Sequence, residues 1–82
     1  MVLLYPITTE KAISLIEKEN KIVFIVDARA TKADIKKEVE RRFGVRVRSV
    51  NTLLTPTGKK KAFVRVAEGF KADDIAAKLK IA

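Results

Sequence analysis

The chain has 82 residues, 48% of them apolar and 34% charged, with a formal net charge of +8 and neither cysteine nor histidine. That length holds one core, since domains commonly run to roughly 100–150 residues, and the missing cysteines exclude disulfide staples and thiolate metal sites. With serines only at Ser14 and Ser49 and no spacing that supports a Ser-Lys pair, a nucleophile with its base is not in view and no enzymatic activity or cofactor is expected.

In chain order, Val2 to Tyr5 is a short apolar run closed by Pro6, whose missing N–H confines it to a brief edge strand. Thr8 or Thr9 caps a helix over about residues 9 to 19, with Glu10 favourably placed in the first turn and Ala12, Ile13 and Ile16 as its buried stripe. Lys21 to Asp27 contains the branched run Ile22-Val23-Phe24-Ile25-Val26, the pattern of a central strand. Thr31 and Asp34 have the spacing of a capping box opening a second helix, with Ile35, Val39 and Phe43 on its core side and Gly44 as its stop.

Two further strand-like runs, Val45 to Leu53 and Lys60 to Ala67, flank a Pro- and Gly-marked turn from Leu54 to Lys59 and predict an antiparallel hairpin. After Gly69, helical spacing of Ile75, Ala76 and Leu79 predicts a closing helix over Ala72 to Leu79. The adjacent acids Asp73 and Asp74 fall at its start, where capping accounts for them better than a metal site. The expected fold is α+β: a four-stranded antiparallel sheet with a short first strand and three helices, in the order β-α-β-α-β-β-α, as a single domain over residues 1–82.

Charge is unevenly distributed along this chain. Residues 1–28 sum to −1 and residues 66–82 to zero, whereas residues 29–65 carry twelve bases against Asp34, Glu38 and Glu40, a net of +9. One continuous cationic stretch is the footprint of a polyanion binder. No segment has the amphipathic insertion face of a membrane-surface helix or the roughly 20 apolar residues of a spanning one, so no membrane insertion is expected. No signal peptide is expected either, and the expected location is the cytoplasm.

Within that stretch, Arg29 opens the block, and Lys32 and Lys36 lie near the start of the second helix, where backbone N–H groups also favour phosphate. Lys37 and Arg41 are four apart on the same helix and repel unless an anion or Asp34 and Glu38 intervene. Lys59, Lys60 and Lys61 sit where the hairpin turn enters its second strand, continuous with Arg46, Arg48 and Arg65. Such a turn either projects its ammonium groups to phosphates or serves as a solubilising edge. Alternation puts Lys61, Phe63 and Arg65 on one face, so Phe63 either stacks an RNA base between charges or packs beneath a helix.

These residues resemble a known family. Pro6-Ile7-Thr8-Thr9-Glu10-Lys11, Phe24-Ile25-Val26-Asp27, Ala30-Thr31-Lys32, Ile35-Lys36, Val39-Glu40, Phe43, Val45, Val47, Val50-Asn51-Thr52 and Lys60-Lys61-Ala62-Phe63-Val64-Arg65 are similar, in order and spacing, to the large-subunit ribosomal protein L23 family. The resemblance covers nearly the whole chain. It implies binding to large-subunit ribosomal RNA beside the exit of the nascent-peptide tunnel, next to neighbouring ribosomal proteins, as a monomer within the ribosome and without catalysis. It adds Lys11, Asn51 and Thr52 to the expected RNA contacts. It also implies a docking surface for signal recognition particle or other nascent-chain factors at Thr9 and Glu10, with Glu17 and Glu19 as neighbours.

The chain departs from bacterial members in its short turn from Leu54 to Lys59, which argues against a hairpin reaching into the tunnel. It has no long basic N-terminal extension of the eukaryotic kind, and Val66 stands where the family usually has Leu. It therefore looks most like an archaeal member, and the absence of glutamine leans towards a thermophilic source. A free, chromatin-like DNA-binding protein is the alternative that charge and size alone leave open, because phosphate contacts carry no sequence information.

Overall fold

The computed structural model describes residues 2–80. Its elements are β1 (Leu3–Pro6), α1 (Glu10–Glu19), β2 (Lys21–Val26), α2 (Lys32–Phe43), β3 (Val47–Leu54), β4 (Lys60–Val66) and α3 (Ala72–Lys78). The four strands form one antiparallel sheet in the order β1-β2-β4-β3. This is the expected α+β arrangement, with the short first strand at one edge.

Pro6 closes β1 as its last residue, opposite Phe24, and the edge position leaves its missing N–H without consequence. The chain keeps contact with β2 on either side, through Asp27 N–H to Val2 O at 2.9 Å and Ile7 N–H to Val23 O at 2.9 Å. β2 is buried from Ile22 to Val26 on both faces, as expected of a strand paired on both sides. The hairpin turn is closed by Thr55, whose N–H donates to Lys59 O at 2.8 Å and whose hydroxyl accepts from Lys59 N–H at 3.1 Å, with Gly58 at φ 83°.

One face of the sheet carries the core. Ile22, Phe24 and Val26 of β2 and Ala62, Val64 and Val66 of β4 meet Ile35, Val39 and Phe43 of α2 and Ile75 and Ala76 of α3. The rings of Phe24 and Phe43 stack with centroids 6.3 Å apart. Among the described residues every buried side chain is apolar.

Helix α2 begins as its sequence predicts. The Thr31 hydroxyl accepts from Asp34 N–H at 3.1 Å, and the Asp34 carboxylate accepts from Thr31 N–H at 3.0 Å. The backbone and hydroxyl bonds of Thr31 hold the Asp34 carboxyl below its ordinary value of 3.8. A depressed folded-state pKa stabilises the protein above the unfolded value and loses that contribution as pH falls through the folded one. Asp34→Asn is therefore expected to make the acid limb of a denaturant-midpoint-against-pH curve shallower. An unchanged limb would show that the carboxylate is equally well solvated in the unfolded chain.

β3 starts at Val47, two residues later than its apolar pattern suggests. Gly44 ends α2 in the left-handed region at φ 66°, and Glu40 reaches across so that its carboxylate accepts from Val47 N–H at 2.9 Å, fixing where pairing starts. A register shift between Val47 and Ser49 then places Arg48 outside strict alternation, and Arg48 and Ser49 are both exposed.

The start of α3 corrects a second expectation. Asp73 and Asp74 lie in its first turn but do not cap it; the N-cap is Lys71, which makes no side-chain bond. Asn20, in the left-handed conformation at φ 55° that ends α1, takes over: its Oδ1 accepts from Ala72 N–H at 2.7 Å, and its Nδ2 donates to Phe70 O at 2.9 Å. One side chain thus fastens the end of α1 to the start of α3, while the two acids complement the helix dipole.

Candidate nucleic-acid interface

The side chains of β4 that point away from the α2–α3 core are Lys61, Phe63 and Arg65, as alternation requires. Each has neighbours on the same face: Lys61 lies between Ile25 and Leu53, Phe63 between Val23 and Asn51, and Arg65 between Lys21 and Ser49. Lys61 and Phe63 are half-buried; Asn51, Leu53 and Arg65 are exposed. Four residues along a strand set the two cationic side chains roughly 13 Å apart, with an aromatic ring between them.

Helix α1 borders this face. Thr9, Lys11, Ala12 and Leu15 share a cavity with Val23, Leu53, Lys61 and Phe63. Phe63 is therefore neither sealed beneath a helix nor bare on a flat surface; it forms part of an open recess.

The lysine triplet does not act as one group. Lys59 Nζ donates to the Tyr5 hydroxyl at 3.1 Å and lies 5.7 Å from that ring's centroid. Lys60 points to the helical side, where its ammonium donates to Ala30 O at 2.7 Å and ties the hairpin to the loop before α2. Lys61 joins Arg65 on the open face, and Lys59 lies at its edge beside Tyr5. Thr52 also turns to the helical side, opposite Ala62, so Asn51 is the one of that pair on the face with Phe63.

A second group of cations lies at the start of α2. Lys32, Lys36 and Lys37 are exposed, as is Arg29 in the preceding loop. Arg29 is held by Asp27, which accepts from its backbone N–H at 2.9 Å and from Nε at 3.4 Å. Those bonds, the backbone one first, hold the Asp27 carboxyl below its ordinary value.

Because the capping box engages Asp34 N–H and puts a carboxylate at the helix start, backbone donors there are less available to phosphate than the sequence suggests. Lysine side chains must make the contacts. Arg41 turns to Glu38 at 2.8 Å, and that bond keeps the Glu38 carboxyl low. Among the described residues, no carboxylate comes within salt-bridge distance of Lys32, Lys36, Lys37, Arg46, Arg48, Lys61 or Arg65.

Opposite in charge, the outer surface of α1 exposes Glu10, Glu17 and Glu19. Glu10 and Glu17 are two turns apart on one side of the helix, while Glu19 pairs with Lys21 at 3.2 Å. The Thr9 hydroxyl caps α1 by accepting from Ala12 N–H at 3.3 Å, so it positions Glu10 in the first turn.

Tyr5 and Leu53, which the sequence reading leaves out, also line the open face and are exposed by 45% and 55%. Tyr5 comes beside Lys59 only because β1 pairs with β2, a long-range pairing that no local pattern announces. Among the described residues no cluster of three potential metal ligands occurs, and no helix is long and apolar enough to cross a membrane.

Fold and charge together define a small, basic α+β protein with cations gathered on an open sheet face and at one helix start. The sequence profile of the family described as Ribosomal protein L23 matches residues 1–77. The large ribosomal subunit protein uL23 of Methanococcus aeolicus, an archaeon, is 49% identical over 76 residues, covering 93% of this chain and 88% of the relative. The chain belongs to the ribosomal protein L23 family and is a structural, non-enzymatic constituent of the ribosome. Membership decides between the two readings that the charge allows, in favour of the ribosomal protein over the chromatin-like one.

Proposed function

We propose that this chain is a single RNA-binding domain of the large ribosomal subunit, holding ribosomal RNA beside the nascent-peptide tunnel exit and offering α1 as a docking surface for factors that meet emerging chains. The observation that carries the reading is the distribution of charge: cations without carboxylate partners concentrate on the β3–β4 face and along α2, while α1 exposes Glu10 and Glu17 beside Lys11 and Lys18. A polyanion is attracted to the first surface. A basic protein is attracted to the second.

On the RNA side the contacts come from Lys32, Lys36, Lys37, Arg46, Arg48, Asn51, Lys61, Phe63 and Arg65, with Arg29, Lys11 and Lys59 at the margins. Lys60 and Thr52 support the hairpin from behind. On the other side, Glu10 and Glu17 present the carboxylates, and Thr9 and Glu19 hold the local geometry. Signal recognition particle is the leading candidate for the docked factor, and neighbouring ribosomal proteins flank the site.

Sucrose-gradient sedimentation of cell extract containing either the wild-type chain or Glu10→Lys tests both halves. Both forms are expected to travel with large subunits, and signal recognition particle is expected to bind the Glu10→Lys particles more weakly. A chain that follows DNA or stays at the top of the gradient contradicts the RNA half. Unchanged factor affinity contradicts the docking half.

A further inference from the structure

Between α1 and the open sheet face lies a cavity of about 200 Å³, the room of several water molecules at roughly 30 Å³ each. Its lining is apolar where sheet meets helix, with Val23, Phe63 and Leu53 on the sheet and Ala12 on α1. Two lysines line it, Lys11 from the helix and Lys61 from the strand, and no acidic residue does. Leu53 is 55% exposed although it is a large apolar side chain. The Thr9 hydroxyl, whose oxygen accepts the cap bond from Ala12 N–H, still has its own hydrogen to donate at this cavity.

An apolar recess with an aromatic wall suits a planar ring, and two lysines from different elements suit the anion attached to it. We infer that this cavity receives one nucleobase turned out of its stack, with the ring against Phe63 and Leu53 and its phosphate between Lys11 and Lys61. The inference rests on the RNA-binding reading and adds to it a single-nucleotide site. Unstacked bases held on aromatic side chains are the usual means by which proteins read single-stranded RNA, whereas duplex RNA keeps its bases out of reach. An apolar peptide side chain would fill the recess as well, but would leave both ammonium groups unmatched.

The test is an NMR titration of the isotope-labelled full chain with a single-stranded hexaadenylate RNA and, separately, with a blunt RNA duplex. Hexaadenylate is expected to produce ring-current shifts at Leu53 and Leu15 that the duplex does not. Phe63→Leu is expected to weaken hexaadenylate roughly tenfold, in line with the loss of one base–aromatic stack, and to weaken the duplex, which keeps its bases stacked, by clearly less. Leu53→Ser, at an exposed position, gives a second and smaller loss should Phe63→Leu disturb folding.

Equal binding of both RNAs with no effect of either variant would overturn the base site while leaving RNA binding intact. Failure of both RNAs to bind would overturn the RNA reading itself. Shifts at these residues from a leucine-containing peptide but from neither RNA would make the cavity a protein-docking site and end the proposal.

Discussion

Phe24→Ala is expected to leave the isolated protein largely unfolded. Phe24 is 1% exposed at the centre of β2 and stacks on Phe43 of α2, so truncation removes both its transferred apolar area and the ring that fills the space between sheet and helix. Substitutions of this kind cost about 3–5 kcal/mol. A core built by a chain this short supplies a net stability of about the same size, roughly 3–5 kcal/mol. The loss therefore matches the reserve, and there is no disulfide to compensate. Denaturant unfolding followed by circular dichroism checks this, with Tyr5→Ala, at a 45% exposed edge position, as the control expected to change little. A Phe24→Ala protein that keeps its midpoint would mean that α2 and α3 close over the gap.

The second large effect concerns binding. Arg48, Lys61 and Arg65 lie on the hairpin with no carboxylate partner among the described residues, and their replacement by Ala is expected to reduce the log–log salt slope of RNA binding by about 2 to 3. Each phosphate contact contributes roughly 0.7 to 0.9 to that slope, through release of condensed counterions. Between molar salt and tenfold dilution each contact is thus worth roughly five- to eightfold, and three together on the order of a few hundredfold at the lower salt. Lys60→Ala supplies the discriminating control. Its ammonium is engaged at Ala30 O on the opposite side of the sheet, so its loss should lower thermal stability and leave the slope nearly unchanged. If Lys60→Ala alters the slope as much as the other replacements do, the division of the lysine triplet between two faces does not describe the bound state.

That division shows what the sequence could and could not convey. Local patterns are enough for α2: the Thr31–Asp34 capping box, the Ile35, Val39 and Phe43 stripe and the Gly44 stop all occur as the spacing predicts. The central position of β2 followed from an apolar run with no polar alternation. Alternation also placed Lys61, Phe63 and Arg65 together, and the same rule, applied one residue earlier, puts Lys60 on the other face, although treating three lysines as one charge cluster obscures it.

Long-range pairing was beyond reach. The order β1-β2-β4-β3 brings Tyr5 beside Lys59 across 54 positions of sequence, and Asn20 caps a helix 52 residues further on. Asn20 could be recognised as a residue tolerant of a left-handed helix end, but its partners could not. The recess at Phe63 has the same origin, since its wall on β3 and β4, Leu53, Lys61 and Phe63, lies more than thirty positions beyond the end of α1. For the candidate site, composition conveyed the sign of the surface, and topology decided which cations share it.

The proposed RNA surface is tested most directly by ultraviolet cross-linking of intact large subunits, with mass-spectrometric identification of the nucleotide-bearing residues. The expected adducts fall on the open hairpin face around Lys61 and Phe63 and at the start of α2, with Glu10 and Glu17 unmodified. Adducts confined to α1 and α3, with none on the hairpin face, would contradict it.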